Sequence, residues 1–301
     1  MAFFRHVLAP VDLSSLSRHS AAEAIMVARS CGAPVTLLYV APRPVDDDTH
    51  DELLMCLSAL AGIRMATPAI RFEIVEGDPD REILAFSNAH DVDLIVLGMR
   101  PRGRVARAFV ESTGDIVARE APCSVLTVAD PDVEPPRARP IPPSRVLCAV
   151  DLSDDSHATL DTALDLARAV GARVTVLNVI KAADVSERTQ GARDAVERTA
   201  NEKLSSLIAR HGVSGLDVER LALFGTPHTL IADTAAALDA GIVVLGAHSR
   251  KLLGYTFLGA TARTVLRAAP CPVLLARAAP ISTIPAMPRA HGDIVAPGVT
   301  R

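Results

Sequence analysis

Short apolar runs alternate with stretches of helical period along most of the chain. His6 to Asp12 (HVLAPVD) reads as a buried strand. Ser14 suits the N-cap of a following helix, in which Ala21, Ala24, Ile25 and Ala28 fall at i, i+3, i+4 and i+7. Gly32 is placed to end that helix. Val35 to Val40 predicts a second strand, Pro42 to Asp51 an acidic loop, and Glu52 to Ala61 a helix. A third strand over Ala69 to Val75, a helix over Glu82 to His90 and a fourth strand over Asp93 to Gly98 follow. A basic loop, a helix ending at Glu120 and a strand over Ser124 to Val128 close the unit. Strands and helices alternating at this spacing predict βαβ units and a parallel sheet.

The unit then recurs. Val7, Leu8, Val11, Asp12, Leu13 and Ser14 match Val146, Leu147, Val150, Asp151, Leu152 and Ser153, an offset of 139 (151 − 12). Gly32 and Val40 match Gly171 and Val179 at the same offset. Further on, Gly77, Gly98 and Pro122 match Gly225, Gly246 and Pro270 at an offset of 148 (246 − 98). The nine extra residues (148 − 139) place an insertion near Asp184 to His211, a longer and more charged helix. Surface segments accept such insertions without disturbing a shared core. Two copies of one domain fit this long period better than a solenoid. The expected layout is a domain over 1–130, a linker over 131–144, a second domain over 145–278, and an extended or disordered tail over 279–301. Six prolines in Ala129 to Ser144 make the linker semi-stiff. The fold class is α/β, with two tandem Rossmann-like domains, each an open five-stranded parallel sheet flanked by helices.

Composition adds limits. Aromatics are only 3% of the 301 residues and Trp is missing, so Ala, Val and Leu must fill the core. A net charge of -4 argues against general nucleic-acid binding. No apolar run approaches the ~20 residues of a membrane span, and the first residues lack a secretory apolar core, so the expected location is the cytoplasm. The five cysteines form no C-x-x-C pair, which removes the usual zinc and disulfide patterns.

The chemistry concentrates in Val244 to Arg277, VLGAHSRKLLGYTFLGATARTVLRAAPCPVLLAR. An apolar strand ends in Gly246, a polar and basic loop follows, Gly259 opens a helix, and Pro270 to Leu275 reads as one more strand. Free N–H groups at a helix start, approached over a glycine, favour an anion. In open parallel sheets, ligands bind at the carboxyl ends of strands where the strand order switches. Asp151, Val179 and Gly246 sit at such ends, as do Asp12, Val40 and Gly98 in the first copy. An aspartate there can hold a nucleobase or ribose, or can serve only the helix dipole beside it; position alone weights the two readings equally.

The opening strands VLAPVDLS and VLCAVDLS, the Gly turns EGDP and FGTP, DLIVLG and GIVVLG, and the endings APCSVLTV and APCPVLLA together resemble the universal stress protein family, in tandem and almost end to end. The resemblance implies domains paired through their last strands and a role in stress survival. It also implies ATP binding in some members, through G-x-x-G, nine residues, then G with Ser or Thr. The second copy is similar to that motif at Gly246 and Gly259, with Ser249 for the middle glycine and Ala260 for the hydroxyl residue. The candidate cofactor-binding residues are Ala149, Val150, Asp151, Val179, Leu245, Gly246, His248, Ser249, Gly259, Ala260 and Thr261. Mg²⁺ would arrive with the nucleotide.

The first copy departs further. Pro101 offers no N–H, and Glu111 puts a negative charge where phosphate should rest. The arginines Arg100, Arg102, Arg104 and Arg107 read first as a solvated face. His228 and His248 stand in no Ser/His/Asp or Cys/His grouping, so no activity beyond slow ATP hydrolysis is expected. The expected function is an ATP-binding stress regulator, working mainly through its second domain, with pairing inside the chain, a homodimer and further protein partners. The rival reading is a stress scaffold that binds proteins without nucleotide. An adenylyl-transferring enzyme is a weaker third, because a fold alone does not give function.

Overall fold

The structure is a computed structural model that describes residues 3–60, 69–99, 112–129, 143–181, 190–247, 249–252 and 255–277. Most of the linker, the tail beyond Arg277, the Arg100 to Glu111 segment and His248 lie outside the described residues.

The first copy runs β1 (Val7–Val11), α1 (Ser15–Cys31), β2 (Val35–Ala41), α2 (Asp47–Leu60), β3 (Ile70–Glu76), α3 (Pro79–Ala89), β4 (Leu94–Met99), α4 (Thr113–Glu120) and β5 (Ser124–Ala129). The second runs β6 (Arg145–Val150), α5 (Ser156–Val170), β7 (Arg173–Lys181), α6 (Gln190–Ala209), β8 (Val218–Gly225), α7 (Pro227–Ala237), β9 (Ile242–Gly246), β10 (Ser249–Leu252), β11 (Tyr255–Leu258), α8 (Ala260–Ala268) and β12 (Val273–Ala276).

Each copy forms the expected five-stranded parallel sheet, but the two are one surface. The strand order is β3-β2-β1-β4-β5-β12-β9-β6-β7-β8, and only the central β5–β12 pair is antiparallel. Alternation along the strands fills both faces, as a doubly covered sheet requires. Val7, Ala9 and Val11 of β1 and Val146, Cys148 and Val150 of β6 face one apolar layer, with Ala21, Ala24 and Ala28 of α1 and Leu160, Ala163 and Leu164 of α5. Leu8, Leu147, Ile95 and Val243 face the other, with Ile83 of α3, Val117 of α4, Ile231 of α7 and Val265 of α8.

The helix ends follow from local chemistry. Ser14 accepts a hydrogen bond from the Ser17 N–H at 3.2 Å and so caps α1. Gly32 and Gly171 end α1 and α5 with φ of 66° and 69°, a conformation glycine adopts without cost. The duplication even repeats unusual backbone at other residues: Leu13 and Leu152 have φ of 64° and 62°, and Asp91 and Asp239 have 49° and 48°.

Three expectations need correction. Helix α2 begins at Asp47, inside the predicted acidic loop. Asp46 accepts from the Thr49 N–H at 2.9 Å, and the acids Asp47 and Asp48 favour the positive helix end. The final strand starts at Val273 and not at Pro270, because Pro270 and Pro272 lack the donors a ladder needs. The segment read as a loop after Gly246 carries the antiparallel hairpin β10–β11, with Ser249 opposite Leu258 and Leu252 opposite Tyr255.

Candidate nucleotide site

The strand order switches between β1 and β4, and again between β6 and β9. The two aspartates and two of the glycines marked in the sequence flank these points. Asp12 and Asp151 follow β1 and β6, and Gly98 and Gly246 lie at the ends of β4 and β9.

In the second domain Ala149 is in register with Leu177 of β7 and Leu245 of β9. Ala149, Val179 and Leu258 are partly buried against the layer that holds Leu245 and helix α8. Val150 is oriented to the opposite layer, and its carbonyl accepts from Asn178 Nδ2 at 2.9 Å. Gly246 pairs with Ala276, and the Ala247 N–H donates to the Ala276 carbonyl at 3.0 Å, which holds the exit from β9 beside β12.

Asp151 is fixed by its neighbours. Its Oδ1 accepts from the Ser153 N–H at 3.0 Å, from Ser153 Oγ at 2.6 Å and from Ser156 Oγ at 3.1 Å. The same cluster occurs at Asp12, whose Oδ1 accepts from the Ser14 N–H at 3.1 Å and from Ser17 Oγ. Burial pushes the Asp12 carboxyl up, but the bonds from Ser14 and Ser17 outweigh it and hold the group below its ordinary value. The left-handed Leu13 and Leu152 make the turn that presents these N–H groups. A bulky residue in that region costs on the order of 1–3 kcal/mol and marks a backbone held in place by its surroundings.

Helix α8 starts at Ala260, with Gly259 as its N-cap and no side-chain bond across its end. Arg263 is the first residue to donate back, from its N–H to the Gly259 carbonyl at 3.0 Å. The N–H groups of Ala260, Thr261 and Ala262 therefore have no partner within the helix, and the helix dipole makes their end positive. Ala260 is exposed and Thr261 half-buried. This is a ready cradle for an anion of phosphate type.

The equivalent end in the first domain is closed by its own side chains. Ser112 caps α4, accepting from the Asp115 N–H at 3.2 Å, while Asp115 Oδ2 accepts from the Ser112 N–H at 3.2 Å. A carboxylate already occupies that helix end. At the equivalent position (115 + 148 = 263) the second domain carries Arg263. A second closure lies at Gly98, where an added Cβ would come within 2.4 Å of Leu16 Cγ. Leu16 is buried, and its equivalent (16 + 139 = 155) is the exposed Asp155. Gly98 is thus small because Leu16 packs on it.

Three residues central to the asymmetry, Leu16, Asp115 and Arg263, were not among the sequence candidates. The S-x-x-D spacing of Ser112 and Asp115 was the available signal for one of them. Backbone is described for Ser249 and His248 lies outside the described residues, so neither adds side-chain geometry.

One further polar network lies beside the site. His157 Nδ1 and His211 Nε2 are 2.9 Å apart, and Asp161 Oδ1 accepts from His211 Nδ1 at 2.5 Å. It ties α5 to a residue two positions beyond the end of α6. Among the described residues no group of three or more His, Cys, Asp or Glu could hold a metal ion, and no helix is long and apolar enough to cross a membrane. Burial pushes the Cys123 and Cys148 thiols up to about 12, as packed hydrophobes and not reactive groups.

The profile of the universal stress protein family matches the chain twice, over residues 3–129 and 143–277. A universal stress protein of Mycobacterium tuberculosis is 27% identical over 211 residues, covering 69% of each chain. One from Thermus aquaticus is 30% identical over 135 residues, covering 44% of this chain and 97% of its own. Among solved structures, a universal stress protein from Archaeoglobus fulgidus superposes with a TM-score of 0.62 at 19% identity, covering 91% of this chain and 96% of its own. A protein of unknown function from Pseudomonas aeruginosa gives 0.65 at 22%, covering 92% and 93%. These two likenesses concern the fold.

Proposed function

The chain belongs to the universal stress protein family, and from that premise we propose that it is a stress-response regulator whose second domain binds an adenine nucleotide, ATP. The observation that carries this reading is the contrast between two helix ends. The α8 end is capped only by Gly259, whereas the α4 end is filled by Ser112 and Asp115. The phosphates rest on the N–H groups of Ala260 and Thr261, with Arg263 supplying positive charge nearby and Mg²⁺ entering with the nucleotide. The adenosine end lies toward Ala149, Asp151, Val179 and Leu245, with Gly246, His248 and Ser249 in the connecting segment. The first domain binds no nucleotide. On this reading the protein acts in the cytoplasm by altering its choice of protein partners, and pairs with a second copy.

Calorimetric titration with ATP and Mg²⁺ tests the proposal. The expected stoichiometry is about one nucleotide per chain, abolished by Gly259→Glu, which sets a carboxylate against the phosphates. Two equal sites would refute the asymmetry. Absence of binding at millimolar ATP would refute the site and leave the scaffold reading.

A further inference from the structure

Helix α4 of the first domain is held by the second domain at three places. Two of the holding groups, β11 and Arg267 of α8, belong to elements that meet at Gly259, and the third, Arg277, follows β12. Strand β11, which ends one residue before Gly259, lies against α4. Arg267, on α8 itself, donates from Nη2 to Asp115 Oδ1 at 2.9 Å, with Asp115 only 13% exposed. Arg277, directly after β12, donates to the carbonyls of Ala118, Arg119 and Ala121 at 2.7, 2.8 and 2.5 Å. Those carbonyls belong to the last turn of α4, where a helix lacks internal partners and carries partial negative charge.

The arginine contacts are not encoded a second time in the first copy. The residue equivalent to Arg277 (277 − 148 = 129) is Ala129, which has no side chain able to reach α8. Arg119, equivalent to Arg267, pairs with Glu120 of its own helix at 2.8 Å. The position equivalent to Asp115 is Arg263, which would repel Arg119. A symmetric pair of domains would show these contacts twice. Among the described residues the arginine contacts run from the domain with the open helix end to the domain with the closed one.

We infer that α4 is the receiver of the second domain's ligand state: nucleotide bound at Gly259 is sensed in the first domain through β11, Arg267 and Arg277. The inference rests on the nucleotide reading above. An anion on the first N–H groups of α8 orders Gly259, and Gly259 joins β11 to α8. Both of those elements touch α4, so ordering the junction tightens the grip on it. The degenerate first domain then serves as the output surface. Coupling is reciprocal, so a weakened grip must lower nucleotide affinity by the same factor, and couplings of this kind are typically about 5- to 150-fold.

The test is hydrogen–deuterium exchange of the full chain with and without ATP, together with ATP titrations of the wild type, Arg267→Ala and Arg277→Ala. Neither arginine belongs to the proposed phosphate cradle, and two variants guard against a folding defect in either. The expected result is slower exchange across residues 113–120 on adding ATP, lost in both variants, with affinity weakened about fivefold or more. Protection confined to the second domain, or protection of α4 that persists in both variants, overturns the coupling while leaving the nucleotide site standing. No ATP binding by the wild type overturns both.

Discussion

Leu126 of β5 lies opposite Leu274 of β12, and the two are also each other's equivalents in the duplication (126 + 148 = 274). The flanking pairs, Val125 with Leu275 and Thr127 with Val273, are related by exchange of the strands. A residue can pair with its own equivalent only on a twofold axis, so the internal pseudo-twofold passes between these leucines. Both point into the layer of α1 and α5 and are almost fully buried, at 4% and 1% exposure. The junction also removes two sheet edges that would otherwise invite pairing with other chains. What remains at the outer edges is β3 and β8.

Truncating Leu274 to Ala should therefore weaken both domains together. A buried Leu→Ala change costs about 2–5 kcal/mol, depending on how far the site can collapse. The expected outcome in urea is a lower midpoint for the whole molecule, with Leu126→Ala behaving alike. A loss confined to spectroscopic probes in the second domain would show that the two copies unfold independently.

Gly98 gives a sharper case, because it matches a motif glycine and yet has a packing role. An added methyl would overlap Leu16, at 2.4 Å from Cγ. Gly98→Ala should destabilise the protein by about 1–3 kcal/mol, the range for overpacking. Leu16→Ala should absorb part of that penalty, giving a favourable interaction energy in a double-mutant cycle measured by denaturation. Strict additivity would mean that Leu16 is not what excludes the methyl.

The strands, the switch points and the paired aspartates were legible because a period of two or 3.6 survives in any single copy, and because the offset of the copies exposes matched glycines. Three features were not. The hairpin β10–β11 rests on two four-residue strands that pair with each other and not with the main sheet, too short to show a period against a basic loop. The Leu16 contact joins residues 82 positions apart (98 − 16), which no local pattern reports. The capping box spans Ser112 and Asp115, and Ser112 also stands in the degenerate glycine motif, so one residue carries two competing signals. Ligand chemistry and helix capping use the same orphan N–H groups, so in sequence the loss of one resembles the loss of both.

His6 makes stability pH-dependent in the first domain. Its Nδ1–H donates to the His90 carbonyl and its Nε2 is hydrogen-bonded to the buried Thr36 hydroxyl, each at 2.9 Å. Burial pushes its pKa below the usual 6.5, and the positive charge of Arg71 adds to this; the His90 carbonyl and Asp93 oppose it without prevailing. The unfolded chain therefore binds the proton more readily than the folded one, and stability rises with pH through that interval. The contribution is full above the unfolded value and is lost as pH falls below it. At the equivalent position Arg145 donates to the Leu238 carbonyl at 2.8 Å. Urea denaturation of the wild type and His6→Gln at a series of pH values should show the wild type's advantage shrinking from pH 7.5 to pH 5.5. A constant difference over that range would mean that the folded protein takes up the proton on His6 as readily as the unfolded chain does.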